Sequence, residues 1–133
     1  MILTNGIDMI DIRRIKKTLD KFGDKFKERC FTHNEIIRSE NIIKSAESFA
    51  KRYAAKEACA KALGTGLARG VFWKDIEVYN NKHGKPKIKL HNKALKFLKK
   101  INNELNCSIE VSLTDEVNYA IANVIIYENK KTK

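Results

Sequence analysis

Polar and apolar positions divide this chain into short elements of two kinds. Ile2 to Ile7 reads as a short, mostly buried strand that ends at the acidic Asp8. A carboxylate closing an apolar strand points to a site rather than a core. Asp11 is placed to cap a following helix. Ile12, Ile15, Leu19, Phe22 and Phe26 recur at spacings of three and four, which predicts one helix with one apolar face. Thr32 followed by Glu35 has the pattern of a capping box and predicts a short helix from Asn34 to Ser39. Asn41 to Lys44 reads as a connection. Ala46 to Leu63 is the strongest helix, rich in alanine and stopped by Gly64 and Gly66. Ile76 to Tyr79 and Lys87 to Leu90 read as strands around a turn punctuated by Gly84 and Pro86. Asn92 to Leu105 predicts a third long helix, with Leu95, Leu98 and Ile101 as its apolar positions. Cys107 to Thr114 and Tyr119 to Tyr127 alternate as two long strands of a hairpin turning at Asp115 to Asn118. The mixture predicts an α+β domain, with a small antiparallel sheet packed on a long helix. One domain over residues 1–128 is expected, followed by a polar, frayed tail at 129–133.

Composition narrows the function classes. The formal net charge of +11 speaks of partners rather than fold, and admits acidic proteins, phosphate-rich small molecules, nucleic acid and anionic membranes. No apolar run approaches the roughly 20 residues that a membrane span needs. Asp8 and Asp11 precede the basic stretch, the wrong order for a secretion signal, so a cytoplasmic protein is expected. Cys30, Cys59 and Cys107 are scattered and form no CxxC pair. They read as reduced thiols packed like small apolar residues, and a zinc site has no support.

The candidate chemistry lies on the alanine-rich helix. Glu57 and Lys61 are four residues apart and share a face, with Arg52 and Lys56 nearby in sequence. Taken alone, they describe a surface ion pair of little energetic worth. Gly64-Thr65-Gly66 follows at once and lets a ligand approach the backbone closely, while Asp8 supplies a second carboxylate elsewhere. Two carboxylates and a lysine suit a magnesium ion and a diphosphate. Magnesium takes oxygen ligands, and lysine meets a phosphate oxygen as a point charge. Spacing alone does not bring Asp8 to Glu57.

The pattern Gly6-Ile7-Asp8, with the run from Phe49 through Arg52, Lys56, Glu57 and Lys61 to Gly66, resembles the signature of the holo-acyl-carrier-protein synthases. Gly84-Lys85-Pro86 resembles that family's GKP turn. Val111-Ser112-Leu113-Thr114-Asp115, followed by Tyr119-Ala120-Ile121-Ala122, resembles its C-terminal strand pair. The likeness runs from Ile2 to Tyr127. It implies transfer of the 4′-phosphopantetheine arm of coenzyme A to a serine of an apo-acyl carrier protein, for fatty acid biosynthesis. By the same resemblance Asp8 and Glu57 are the magnesium ligands, and Lys61 contacts the phosphates of coenzyme A. Gly84, Lys85 and Pro86 border the adenine nucleotide, with His83 beside them, and Arg52 and Lys44 contact its phosphates. The short bacterial form of the family implies a homotrimer with active sites between subunits.

Two positions depart from the family pattern. Asp115 stands where the family often has a histidine suited to proton handling or substrate positioning. His83 stands where an asparagine commonly precedes the GKP turn. The base that takes the serine proton is open among Glu57, a metal-ordered water and Asp115. His33 and His91 have no partner at metal or catalytic spacing. Carrier proteins are acidic, and the resemblance places carrier docking on the basic first helix. There Arg14, Lys17, Lys21 and Lys25 recur at spacings of three and four. Phe22 and Phe26 are expected to pack in the core. The rival class is a basic RNA-binding module stacking bases on Tyr53, Phe72, Trp73 or Tyr79, but no RRM-like aromatic signature or GxxG loop supports it. No nucleic-acid or membrane partner is expected.

Overall fold

The computed structural model describes residues 1–68, 73–102 and 106–130. The chain runs β1 (Ile2–Asp11), α1 (Ile12–Phe22), α2 (Asp24–Cys30), α3 (His33–Glu40), α4 (Ser45–Ala62), β2 (Ile76–Asn80), β3 (Pro86–Leu90), α5 (Asn92–Ile101), β4 (Cys107–Glu116) and β5 (Tyr119–Glu128). Strands β1, β5 and β4 form one antiparallel sheet in that order, and β2 and β3 form a separate hairpin. The long helix α4 packs across the three-stranded sheet, so the expected α+β architecture is the one found. The end of the third predicted helix, residues 103–105, lies outside the described residues, as do Phe72 and residues 131–133 of the tail. Asn129 is held by the Asn106 carbonyl at 3.0 Å and by the Ser108 hydroxyl at 2.7 Å.

Alternation in the sheet decides what faces α4. On β5, Ala120, Ala122, Val124 and Ile126 are buried beneath the helix. On β1, Gly6 and Ile10 take the same face, since Gly6 pairs with Val124 and Ile10 with Ala120. The helix answers with Ala54, Ala55, Ala58 and Ala62, all buried. Small residues on both sides let strand and helix approach closely. The Thr4 hydroxyl donates to the Ala62 carbonyl at 2.9 Å and fastens the contact.

Gly6 is where the approach is tightest. A Cβ built there would overlap the Ala58 carbonyl oxygen and crowd the Ala62 amide nitrogen, and neither backbone atom can yield. Gly6→Ala should therefore destabilise the fold by about 1–3 kcal/mol or more, the cost of overpacking a core. Urea unfolding checks this, and a midpoint unchanged from wild type would refute it.

Three differences from the sequence reading have physical reasons. Strand β1 does not end at Asp8 but pairs with β5 as far as Asp11 and Tyr119, so Asp8 sits within the strand. Asp11 does cap α1, accepting the Arg13 amide at 2.9 Å. The single helix expected through Phe26 breaks at Gly23, whose φ of 51° suits glycine. The break turns α2 away. Phe26 then packs against Phe31 and Tyr53, whereas Phe22 stays 51% exposed rather than entering the core.

The third difference is that Lys56 and Arg52 are buried rather than surface charges. Lys56 meets Glu35 at 2.7 Å with both side chains fully buried. Glu35 also completes the expected capping box with Thr32. Cys30 and Cys59 are buried as expected, and burial pushes their thiols up to about 11 and about 12, so both stay protonated and inert. Cys107 is only partly buried. His91 accepts a structural role beside Glu77 at 3.2 Å, and His33 is exposed at the start of α3. Tyr53 and Trp73 stack on each other at 4.3 Å, so two of the rings considered for base stacking spend a face within the fold.

Candidate active site

The close approach at Gly6 carries Asp8, two residues on, to the flank of α4 where Glu57 and Lys61 lie. The Lys61 ammonium donates to Asp8 Oδ1 at 3.1 Å and to the Ile7 carbonyl at 3.0 Å. These partners come from 53 and 54 residues away in sequence. The within-helix pairing of Lys61 with Glu57 expected from spacing therefore gives way to a bond across to the strand. Lys61 is about half exposed, so the cluster opens to solvent.

Glu57 is half-buried, and its pKa is raised above the usual carboxylate value. Burial is the largest cause and the Asp8 charge the second, with Lys61 opposing them. Asp8 and Glu57 are thus close enough to repel. Tyr53, lower on the same helix, is pushed up to about 12, first by burial and then by Glu57, so its phenol keeps its proton.

This pair fits a magnesium ion. Among the described residues no three potential ligands gather. Magnesium commonly takes one or two carboxylates and completes its shell with water and substrate phosphates. Two repelling carboxylates with only one exposed ammonium between them offer that donor set.

A second constellation lies on the other flank of α4. A groove of about 460 Å³ is lined by Lys44, Arg52, Gly84 and Pro86, four of the residues expected to hold the nucleotide. Arg52 is only 5% exposed. It donates to Ser48 Oγ at 3.0 Å and Asn80 Oδ1 at 2.7 Å, and Asn80 in turn donates to the Gly84 carbonyl at 3.0 Å. Arg52 therefore braces the Gly84 turn from behind, while its buried Nε has no hydrogen-bond partner. His83 and Lys85 do not line the groove. His83 is exposed on the turn, and Lys85 reaches Glu110 on β4 at 3.0 Å. Sequence reasoning missed Arg38, Lys51 and Asn80, which do line it. Lys51 stood inside the quoted signature, but nothing in the pattern marked Arg38 or Asn80.

Asp8, Glu57 and Lys61 do not line that groove. Asp8 belongs to β1 at one edge of the sheet, and the groove's Leu113 and Asp115 belong to β4 at the other. Helix α4 lies between, so one chain carries two half-sites on opposite flanks.

Of the basic residues expected to dock a carrier, Arg14, Lys17 and Lys21 are exposed on α1. Lys25 is exposed on α2, beyond the break, so the four do not form one continuous helical stripe. Between the two helices Thr18, Phe22, Lys25, Phe26 and Arg29 line a shallow depression with an exposed phenyl ring.

A model of the 4′-phosphopantetheinyl transferase superfamily matches residues 5–122. The holo-[acyl-carrier-protein] synthase of Parvibaculum lavamentivorans is 52% identical over 127 residues, covering 95% of this chain and 96% of that protein. That of Phenylobacterium zucineum is 51% identical over 127 residues, covering 95% and 92%. Among solved structures, the holo-[acyl-carrier-protein] synthase of Neisseria meningitidis superposes with a TM-score of 0.84 at 31% identity, over 96% of this chain and all of that one. The Helicobacter pylori enzyme, in complex with coenzyme A, gives 0.78 at 30% identity, over 92% of this chain and 99% of that one. The fold, the paired carboxylates and these likenesses place the chain in the 4′-phosphopantetheinyl transferase superfamily, among its holo-[acyl-carrier-protein] synthases.

Proposed function

We propose that this chain transfers 4′-phosphopantetheine from coenzyme A to a serine of an apo-acyl carrier protein, releasing adenosine 3′,5′-bisphosphate, for fatty acid biosynthesis in the cytoplasm. The observation that carries this reading is the meeting of Asp8, Glu57 and Lys61 across two distant segments. In the reaction the serine oxygen bonds to the β-phosphorus, and the bridging P–O bond to the nucleotide breaks. The departing oxygen takes the electron pair. Asp8 and Glu57 would hold the magnesium ion, and Lys61 lies beside them to balance charge on the diphosphate. When bound, magnesium polarises the phosphoryl group and stabilises the charge that develops on the leaving group. Glu57, a water ordered by the metal and Asp115 are the candidate acceptors of the serine proton.

The test is mass spectrometry of an apo-acyl carrier protein incubated with this protein, coenzyme A and magnesium. A phosphopantetheine adduct on the carrier serine is expected. Folded protein that yields no adduct with several carriers and divalent ions would sink the reading.

A homotrimer with active sites between subunits accounts for the two half-sites. A neighbouring copy can set its nucleotide groove against the Asp8 flank, which one chain cannot do for itself. The face of the sheet turned away from α4 supplies an apolar surface for assembly, with Ile7 59% and Met9 62% exposed. Sedimentation equilibrium should give about three times the chain's 15.3 kDa. Met9→Glu should lower that mass and the activity together.

The carrier is read as docking on Arg14, Lys17, Lys21 and Lys25, with Phe22 as an apolar contact. Reversing two of these charges should raise the KM for the carrier by about tenfold or more and leave kcat nearly unchanged. Raising salt should do the same to the wild type. Equal carrier KM in Arg14→Glu/Lys21→Glu and wild type would move docking elsewhere.

A further inference from the structure

Within the nucleotide groove, one ion pair is neither buried nor fully exposed. Lys51 on α4 lies 3.4 Å from Asp115 on β4, each side chain about a third exposed. That separation is longer than the roughly 2.7–2.9 Å of a tight charge-assisted hydrogen bond. Asp115 therefore holds the ammonium in place electrostatically and leaves its donors largely uncommitted. Arg52 differs, because its guanidinium is engaged with Ser48 and Asn80.

Asp115 is otherwise a paradox in this groove. An ionised carboxylate only accepts hydrogen bonds, and alone it would repel a diphosphate. Lys51 cancels that charge locally. Conversely, Lys51 without Asp115 is a flexible lysine on a four-carbon stem with many rotamers to lose on meeting a phosphate.

We propose that Lys51 and Asp115 work as one positioning unit for the nucleotide end of coenzyme A. Asp115 holds the Lys51 ammonium at the groove for a phosphate oxygen, and Lys51 masks the carboxylate from the incoming anion. The proposal rests on the transferase reading, and both residues act on binding rather than on the chemical step.

The experiment is a double-mutant cycle read by calorimetric titration with coenzyme A and with adenosine 3′,5′-bisphosphate, alongside steady-state transfer kinetics. Lys51→Met should weaken binding by about tenfold or more, because it leaves Asp115 bare in the groove. Asp115→Asn should weaken binding by only about two- to fivefold. The double variant should bind better than Lys51→Met alone, since the exposed negative charge is gone. Lys51→Arg should restore most of the affinity, and kcat at saturating coenzyme A should stay near wild type throughout. Additive losses, or no loss in either single variant, would overturn the coupling. A fall in kcat with a shifted pH profile in Asp115→Asn, at unchanged affinity, would instead make Asp115 a proton-handling group and overturn the positioning role. Wild-type protein that binds neither ligand would remove the transferase reading itself, an outcome seen before any variant is measured.

Discussion

Glu57→Gln is expected to lose transfer activity by about two to four orders of magnitude and yet to melt at a higher temperature than the wild type at neutral pH. Both halves follow from the same geometry. Burial, then the neighbouring Asp8 charge, raise the Glu57 pKa above its ordinary 4.5. A carboxyl whose folded pKa is raised stabilises the fold below its unfolded pKa. That contribution is lost as pH rises through the folded value. At neutral pH the native state thus holds an ionised group that its surroundings disfavour. Glutamine copies the protonated form and removes this strain, together with the oxygen charge that the metal and the serine proton need. The melting difference should shrink as pH falls through the raised folded value and be gone below about 4.5, where Glu57 is protonated in the folded and unfolded chain alike. Asp8→Asn should lose activity comparably, while relieving Glu57 of its repelling neighbour. Magnesium with coenzyme A should raise the melting temperature of the wild type and of neither variant. A Glu57→Gln protein active to within about tenfold of wild type would show that this carboxylate holds neither metal nor proton.

What the sequence disclosed and what it hid divide along range. The capping box at Thr32 and Glu35 was legible because both bonds close within four residues. Strand β1 was cut short at Asp8 because its outward positions Ile7 and Met9 are apolar as well, which erased the polar–apolar alternation that marks a strand. The α1–α2 break was hidden because Phe22 and Phe26 continue the helical spacing across Gly23, and a lone glycine is tolerated within helical patterns. Spacing also misjudged α4. Its charged residues looked like a solvated face, but Lys56 and Arg52 point inward to partners 21 and 28 residues away. Gly6 was noticed only as part of a motif. Its physical task, to let β1 meet the α4 backbone, appears once the two elements are superposed on each other. Lys44, Arg52, Gly84 and Pro86, which the resemblance assigned to the nucleotide, line one groove. The resemblance could not indicate that Arg52 serves there as a brace behind the turn.

Lys56→Met should destabilise the fold by about 3–5 kcal/mol, the cost of stranding one partner of a buried ion pair. The ammonium has three donors, and all are used. They go to Glu35 Oε1 at 2.7 Å, the Trp73 carbonyl at 2.9 Å and the Ile76 carbonyl. Glu35 in turn accepts the amides of Thr32 at 2.8 Å and Val78 at 3.1 Å. Burial lowers the Lys56 pKa, and the Glu35 charge opposes that shift. Removing the ammonium leaves the buried carboxylate without a counter-ion and takes a donor from each of two carbonyls. Glu35→Gln/Lys56→Met should lose less than the sum of its single variants, because the stranded charge disappears with its partner. Urea unfolding with and without 1 M sodium chloride separates this pair from a surface one, since screening reaches exposed charges and hardly reaches buried ones. A loss that salt reproduces in the wild type would contradict the burial. The consequence extends to function, because the pair ties α3, α4 and β2 together at one point. Those elements carry Arg38, Lys51 with Arg52, and Asn80 into the groove proposed for the nucleotide. Even at a temperature where Lys56→Met remains folded, its affinity for coenzyme A should therefore fall, although the ammonium itself is sealed from the groove.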